Sequence, residues 1–541
     1  MAGKPDSQRQ DVRSGGQGAA GGTGGGAWIL IALVSLAPFV WFYAYNLHEP
    51  IRASDLIHYA IGTTVAAWLS FLVLRWGVGV DPARLGAGIA AAVFLFFSYY
   101  GFVNLLGLPD DQVAASLIAF ALVSLLIILL VAFFAARPVF RLFLLLFAGA
   151  NLLVPVLLIV SSDLPAQGPG LPPEEAYPLE ENGVWSGTPV RRPNIYWIVV
   201  DSYPNAVELL DYYGFDNERF LEGLEERGFV VARESYSNFS TTLLSVPSTL
   251  DMEYSFDEHD PIYETRFGTV WARLPGRTNS GVHASFGGDN RTVSWLRKLG
   301  YHYVHFEGQS FLITRCQGGE DVCIRGEVAG LTELQYRLLS LTPFRGLFEE
   351  WLALNRGRQP RTRAASGTGI PELQNSLQAL EPPEPFFLYA HITSPHRPYL
   401  NDAQCNLLSA DYDRRGNRNF INQLQCVNRH LDSLVDSIAA SDPNAFVVLS
   451  SDHGARLSIR KGTPLHELSP RQIRESLGIL NAFRLPKECS SAVHPRLTPI
   501  NTMRIVFACL GGEEPRLLEP RHFIARPDSP QRGRLRRVSV R

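Results

Sequence analysis

Cysteine is absent before Cys316, and no Cys-x-x-Cys knuckle occurs anywhere in the chain. The missing knuckle argues against a structural zinc finger or ribbon. The six cysteines that exist, Cys316, Cys323, Cys405, Cys426, Cys489 and Cys509, all lie in the later part of the sequence. That placement fits a domain folding where disulfides persist. Six cysteines leave the pairing open, and Cys316–Cys323 is the first expectation, followed by Cys405–Cys426 and Cys489–Cys509. A strong charge of one sign is lacking as well. A formal net charge of -3 over 541 residues gives no footprint for nucleic acid. Residues 1–26 are rich in glycine and without apolar periodicity, so they read as a disordered tail.

Beyond this tail the chain turns apolar. Five blocks run roughly over Ala27–Tyr45, Leu56–Leu74, Leu85–Leu106, Val113–Ala135 and Leu142–Val160. Each is long enough as a helix to cross a hydrocarbon core of about 30 Å. A cleaved signal peptide would leave one such block. Lys4, Arg9 and Arg13 precede the first, Arg75 and Arg84 lie after the second, and Arg137 and Arg141 lie after the fourth. The basic excess therefore falls on one side, which should be cytoplasmic. Five spans then put everything after Val160 outside the cytoplasm. A linker rich in Pro, Gly and Glu occupies 161–193, and a domain runs over 194–520. A basic tail at 521–541 holds seven arginines against one Asp; it reads as solvated unless it meets anionic headgroups.

The chemistry of the domain is written at strand ends. Phe446–Ser450 is an apolar run of strand length that ends in Asp452 and His453. Asn194–Val200 ends in Asp201, and Pro385–Ala390 ends in His391, with His396 five residues on. Acids at the carboxyl ends of buried parallel strands can converge on one spot, where open α/β sheets keep their sites. Carboxylate and imidazole donors together suit zinc or manganese better than calcium or magnesium. The plainer reading is that these acids start turns and the histidines sit in surface loops. Ser240, Thr241, Thr242 and Ser245 form a hydroxyl cluster before an apolar segment. Such a cluster either caps a helix or supplies a nucleophile at a helix N-terminus. His466 lies thirteen residues past His453 in Pro-Leu-His-Glu and is placed to fold back over the site.

In this order the motifs resemble the alkaline phosphatase superfamily in its sulfatase-like branch. The likeness extends to its membrane transferases, the lipoteichoic acid synthases and lipid A phosphoethanolamine transferases. Thr242-Leu-Leu-Ser245-Val-Pro is similar to the transferases' Thr, two residues, then Ser-Val-Pro. The resemblance implies a five-span transmembrane bundle followed by an α/β alkaline-phosphatase-like domain with a central, mostly parallel sheet. It implies one divalent cation, zinc or manganese, on Asp201, Thr242, Asp452 and His453, with Thr242 as nucleophile. It assigns His391, His396 and His466 to the phosphoryl or leaving group. Asp201 stands where the transferases usually have Glu, and Ser245-Val-Pro-Ser-Thr249 lacks the arginine of the sulfatase maturation signature. Ile500-Asn-Thr-Met-Arg504 also looks like an element of the group, without assigned chemistry.

The expectation is a multi-pass enzyme of a bacterial inner membrane, its catalytic domain on the periplasmic side. It would move a phosphoryl-linked headgroup, of phosphoethanolamine or phosphoglycerol type, from a phospholipid donor to a glycan or lipid acceptor of the cell envelope. A covalent phospho-threonine would be the intermediate. The alternatives are a membrane-anchored hydrolase on the same fold and a degenerate envelope scaffold.

Overall fold

The computed structural model describes residues 22–46, 53–106, 113–161, 177, 184–185, 188–258, 262–264, 270–272, 282–307, 316, 318–325, 333–345, 347–348, 368–379, 382–397, 399–408, 416–459, 463–529 and 532–540. The chain divides into two compact units, one of N-terminal helices and one holding nearly everything after them.

In the first unit, four helices are long and apolar enough to cross a membrane: Gly25–Tyr45, Ala53–Gly77, Ala114–Phe134 and Pro138–Val160. The third expected span is not one helix. It is divided into Pro82–Phe96 and Tyr99–Leu106, with the Ser98 hydroxyl turned back onto the Phe94 carbonyl at 2.7 Å, a bond that competes with the helical ladder. Small residues let the helices approach: a Cβ on Gly86 would lie 2.5 Å from Ala27 Cβ. Close backbone approach through small side chains is the usual packing of helices in lipid. The leucines and valines that point outward, such as Leu122, Leu126 and Leu129, have only an apolar solvent to satisfy them.

The second unit is built on a seven-stranded sheet of order β2-β9-β8-β1-β7-β5-β6. Its strands are β1 (Ile195–Val200), β2 (Val230–Val231), β5 (His302–Glu307), β6 (Val322–Arg325), β7 (Phe386–Ile392), β8 (Phe446–Ser450) and β9 (Asn481–Arg484). The central strand β1 lies parallel to β7 on one side and β8 on the other, with Ile195 level with both Phe387 and Phe446. Helices cover both faces, so the strands read as continuous apolar runs. Ile195, Trp197 and Val199 enter one core, and Tyr196, Ile198 and Val200 enter the other. The long amphipathic helix Asn417–Ser441 lays Leu424, Leu431, Leu434 and Val435 into the second core and leads directly into β8. The disulfides are Cys316–Cys323, Cys405–Cys426 and Cys489–Cys509, the three pairs expected.

Three expectations are revised. The end of the linker is anchored: Val184 and Trp185 are buried in the first core, with the Trp185 ring 5.7 Å from that of Phe507. The apolar spacing over Thr498–Leu510 predicts one helix, and the segment is instead a 3-10 turn at Pro499–Asn501 followed by the helix Thr502–Gly511. The C-terminal tail is no solvated arm. It forms an antiparallel hairpin, β10 (His522–Ser529) and β11 (Arg532–Val538), in a second sheet with β3 (Ile262–Glu264) and β4 (Val270–Ala272). Phe523, Ala525 and Leu535 join the first core, and burial of these alternate apolar residues outweighs the arginines' preference for water. The sequence predicts a helix over Phe344–Leu354 and a basic loop over Gly357–Gly369, and both fall mostly outside the described residues.

Candidate active site

Parallel pairing brings three strand ends side by side. His391 is level with Val199 across β1 and β7, and the Asp201 amide donates to Ile392 O at 2.8 Å just beyond. On the other side Ser450 is level with Val199, so Asp452 and His453 emerge next to Asp201. The turn is held by its own polar groups. The Ser202 amide donates to Asp452 Oδ1 at 3.3 Å and its hydroxyl to Asp201 Oδ1 at 2.9 Å. Ser202 adopts a left-handed φ of 63°, a conformation that costs a non-glycine residue about 1 kcal/mol or more.

Asp201, Asp452 and His453 are all buried, and one donor atom from each lies within 4.8 Å of the others. His453 Nε2 is 3.5 Å from Asp201 Oδ1 and 3.5 Å from Asp452 Oδ2. His453 Nδ1 faces Gly454 O at 2.9 Å; a carbonyl only accepts, so Nδ1 carries the proton and Nε2 keeps its lone pair toward the carboxylates. Burial, then Arg456, lowers the His453 pKa against the pull of Asp452 and Asp201, which favours the neutral ring that a metal needs. Burial alone would raise Asp201, but His396, His391 and His453 outweigh it and hold the carboxyl below its usual range. His391 is fully buried; burial would lower it, yet Asp201 and Asp452 raise it. Its Nε2 lies 3.8 Å from Asp201 Oδ2, beyond hydrogen-bond distance, and has no hydrogen-bond partner among the described residues. Two buried carboxylates side by side and a buried imidazole nitrogen without a partner would be costly as they stand. A divalent cation fits this donor set. The other described clusters of metal-binding side chains each include a cysteine already joined in a disulfide.

The hydroxyl cluster resolves into distinct tasks. Thr242 opens the fully buried helix Thr242–Asp251, and its hydroxyl donates to Asp452 Oδ2 at 2.5 Å. Thr241 is the N-cap but makes no side-chain capping bond. Ser245 faces Ser237, Oγ to Oγ at 3.1 Å, and Ser237 donates to Asp452 O at 2.6 Å. Of Ser240, Thr241, Thr242 and Ser245, Thr242 is the one that meets a site carboxylate.

The predicted residues do not all gather. Asp201, Thr242, Asp452, His453 and His391 form the buried cluster. His396 is exposed at its rim beside Arg397 O, 2.8 Å from Nδ1, near enough for its charge to act on Asp201. His466 sits on an exposed 3-10 turn, 3.8 Å from Glu467 and with its side chain 78% accessible. The expected fold-back of His466 is not seen, because Pro464 and Leu465 carry it on a turn that faces solvent.

Sequence reasoning passed over several contributors. Arg456 donates to Ser240 O at 2.9 Å and reaches His453 Nε2 at 3.3 Å. Tyr389 OH lies 3.1 Å from His391 Nδ1 and fixes the ring. The C-terminal strand clamps the stretch before Thr242. Phe523 donates from its amide to Asn238 O at 2.8 Å and accepts from the Ser240 amide at 3.2 Å, while the Ala525 amide donates to Ser240 Oγ at 3.0 Å. Arg504, in the element without assigned chemistry, donates to Met252 O at 2.8 Å and so ties down the far end of the Thr242 helix. The apolar run Phe523-Ile524-Ala525 was the one local signal for the strand; nothing local marked Arg456.

The family model described as Sulfatase matches residues 193–479, more than half of the chain. Among solved structures, the fold is similar to the C-terminal periplasmic domain of EcEptC from Escherichia coli in complex with zinc. That likeness has 14% identity and a TM-score of 0.40, over 64% of this chain and 92% of that one. The soluble domain of lipooligosaccharide phosphoethanolamine transferase A from Neisseria meningitidis is similar at 11% identity and a TM-score of 0.38, over 60% and 90%. A protein in the alkaline phosphatase superfamily from Vibrio parahaemolyticus is similar at 14% and 0.38, over 63% and 74%. No curated protein matches the sequence.

Proposed function

This chain belongs to the sulfatase family, and from that premise we propose that it is a membrane-anchored transferase of phosphoryl-linked headgroups. The donor is a phospholipid and the acceptor a hydroxyl-bearing glycan or lipid of the cell envelope. The observation that carries the reading is the Thr242 hydroxyl, 2.5 Å from Asp452 at the mouth of a buried Asp201–Asp452–His453 cluster. Asp201, Thr242, Asp452 and His453 would hold a divalent cation, zinc or manganese, which supplies Lewis-acid polarisation of a phosphoryl oxygen and a lowered hydroxyl pKa. Thr242 Oγ attacks phosphorus and its proton passes to the Asp452 carboxylate. The bond from phosphorus to the diacylglycerol oxygen breaks, and protonated His396 donates to that departing oxygen. In the second half the acceptor hydroxyl attacks the phospho-threonine, neutral His396 takes its proton, and the Thr242 oxygen recovers its own from Asp452. His391, buried with its Nε2 3.8 Å from Asp201, would donate to an oxygen of the bound phosphoryl group. The apolar helices tether the domain to a bilayer, where the donor is concentrated, with the basic loops on the cytoplasmic side and the catalytic domain outside.

Family membership itself favours a second reading, in which water replaces the acceptor and the protein is a hydrolase. Headgroup-labelled phospholipid, given with and without an envelope extract, separates the two. Label moving onto a lipid or glycan acceptor, and lost in Thr242→Ala, supports transfer. Label released only as free headgroup phosphate assigns hydrolysis.

A further inference from the structure

Arg456 stands in an unusual place. His453 Nδ1 is committed as a donor to Gly454 O at 2.9 Å, so the only lone pair on the ring is at Nε2. Arg456 Nη2 lies 3.3 Å from that nitrogen. A guanidinium has no acceptor and keeps its charge, so it donates to the lone pair that a cation bound by Asp201 and Asp452 would need. The contact is not incidental to a mobile side chain. Arg456 holds a left-handed φ of 55°, which disfavours a residue with a Cβ. Its Nη1 donates to Ser240 O at 2.9 Å, two residues before Thr242. Its side chain therefore bridges the loop after β8 and the segment that presents the hydroxyl.

We propose that Arg456 and a divalent cation compete for His453 Nε2, and that the guanidinium displaced by metal becomes the binding group for a non-bridging oxygen of a phosphate ester at Thr242. This rests on the function proposed above and adds to it a residue that couples metal loading to substrate binding. One lone pair cannot serve a hydrogen-bond donor and a cation at once, and two positive groups at that distance repel. With its Ser240 bond retained, the displaced guanidinium stays next to the segment that presents Thr242. Its remaining N–H groups can make a charge-assisted hydrogen bond to a phosphoryl oxygen.

The test uses the full-length, detergent-solubilised protein stripped of metal, with zinc and inorganic phosphate as probes. Zinc affinity is read by competition with a chromophoric chelator, and phosphate affinity is read on the zinc-loaded protein. Arg456→Gln is expected to bind zinc about tenfold more tightly and phosphate at least tenfold more weakly. Arg456→Lys, which keeps the charge but loses the guanidinium, is expected between wild type and Arg456→Gln in both, and guards against a glutamine variant that fails to fold. Equal zinc affinity in all three overturns the competition. Tighter zinc with unchanged phosphate affinity overturns the anion-binding role. Tighter zinc in Arg456→Gln from a wild type with no headgroup chemistry leaves the competition standing and removes the proposed reaction. No zinc binding by any of the three removes both.

Discussion

Gly454 and Glu475 meet backbone to backbone: a Cβ on Gly454 would lie 2.0 Å from the Glu475 carbonyl oxygen, and the Gly454 amide donates to Ser476 O at 2.9 Å. This contact fixes the loop from which Asp452 and His453 project. Gly454→Ala is expected to lower stability by about 1–3 kcal/mol, the ordinary cost of overpacking a filled site. It should also lower metal affinity, because the loop must shift. Thermal melts with and without zinc check both; an unchanged melt with unchanged metal affinity contradicts the packing argument.

Metal removal should silence the enzyme. Chelation is expected to abolish headgroup chemistry, with zinc or manganese restoring it and magnesium failing to, since the donor set includes an imidazole. Metal that binds only the folded chain also raises the melting temperature. Asp201→Asn and His453→Ala should each weaken that stabilisation, as measured by melting across a zinc titration.

The hairpin clamp should matter for both stability and chemistry. Phe523 is buried with its ring stacked 5.3 Å from that of Phe239. Phe523→Ala is expected to cost about 3–5 kcal/mol. Loosening the segment before Thr242 should slow turnover on the order of 10²-fold, as small misplacements of reacting groups do. Turnover at saturating donor, measured below the variant's melting point, separates the two effects.

Stability should also depend on pH through Asp251, at the end of the Thr242 helix. Burial raises its carboxyl from 3.8 to about 7, against the pull of the Arg291 amide that donates to it at 3.0 Å. The folded chain thus keeps a proton that the unfolded chain releases. The contribution is full below the unfolded pKa and is lost as pH rises through about 7, so the protein should melt lower at pH 8 than at pH 5. Asp251→Asn should flatten that slope; a variant with the wild-type slope assigns it to other groups.

Much of this site could be read from strand ends. Apolar runs stopping at Asp201, His391 and Asp452 located the carboxyl edge of a parallel sheet, because the central strands, buried on both faces, stay apolar until they end. The features that escaped the sequence depend on contacts between distant segments. Arg456 acquires its role only from a left-handed backbone and from Ser240, more than two hundred residues earlier. The hairpin was masked by its arginines, which interrupt the few apolar residues Phe523, Ile524, Ala525 and Leu535. His466 shows the opposite failure: a histidine at a suggestive spacing that its turn directs into solvent.

The central claim is that Thr242 carries the phosphoryl group between donor and acceptor. The most direct measurement is the intact mass of the zinc-loaded protein after incubation with mixed bacterial phospholipids and no acceptor, beside Thr242→Ala. The account predicts a mass gain equal to one phosphoryl headgroup on the wild type and none on the variant. An adduct that persists in Thr242→Ala, or its absence from a wild type that still processes the donor, would contradict it.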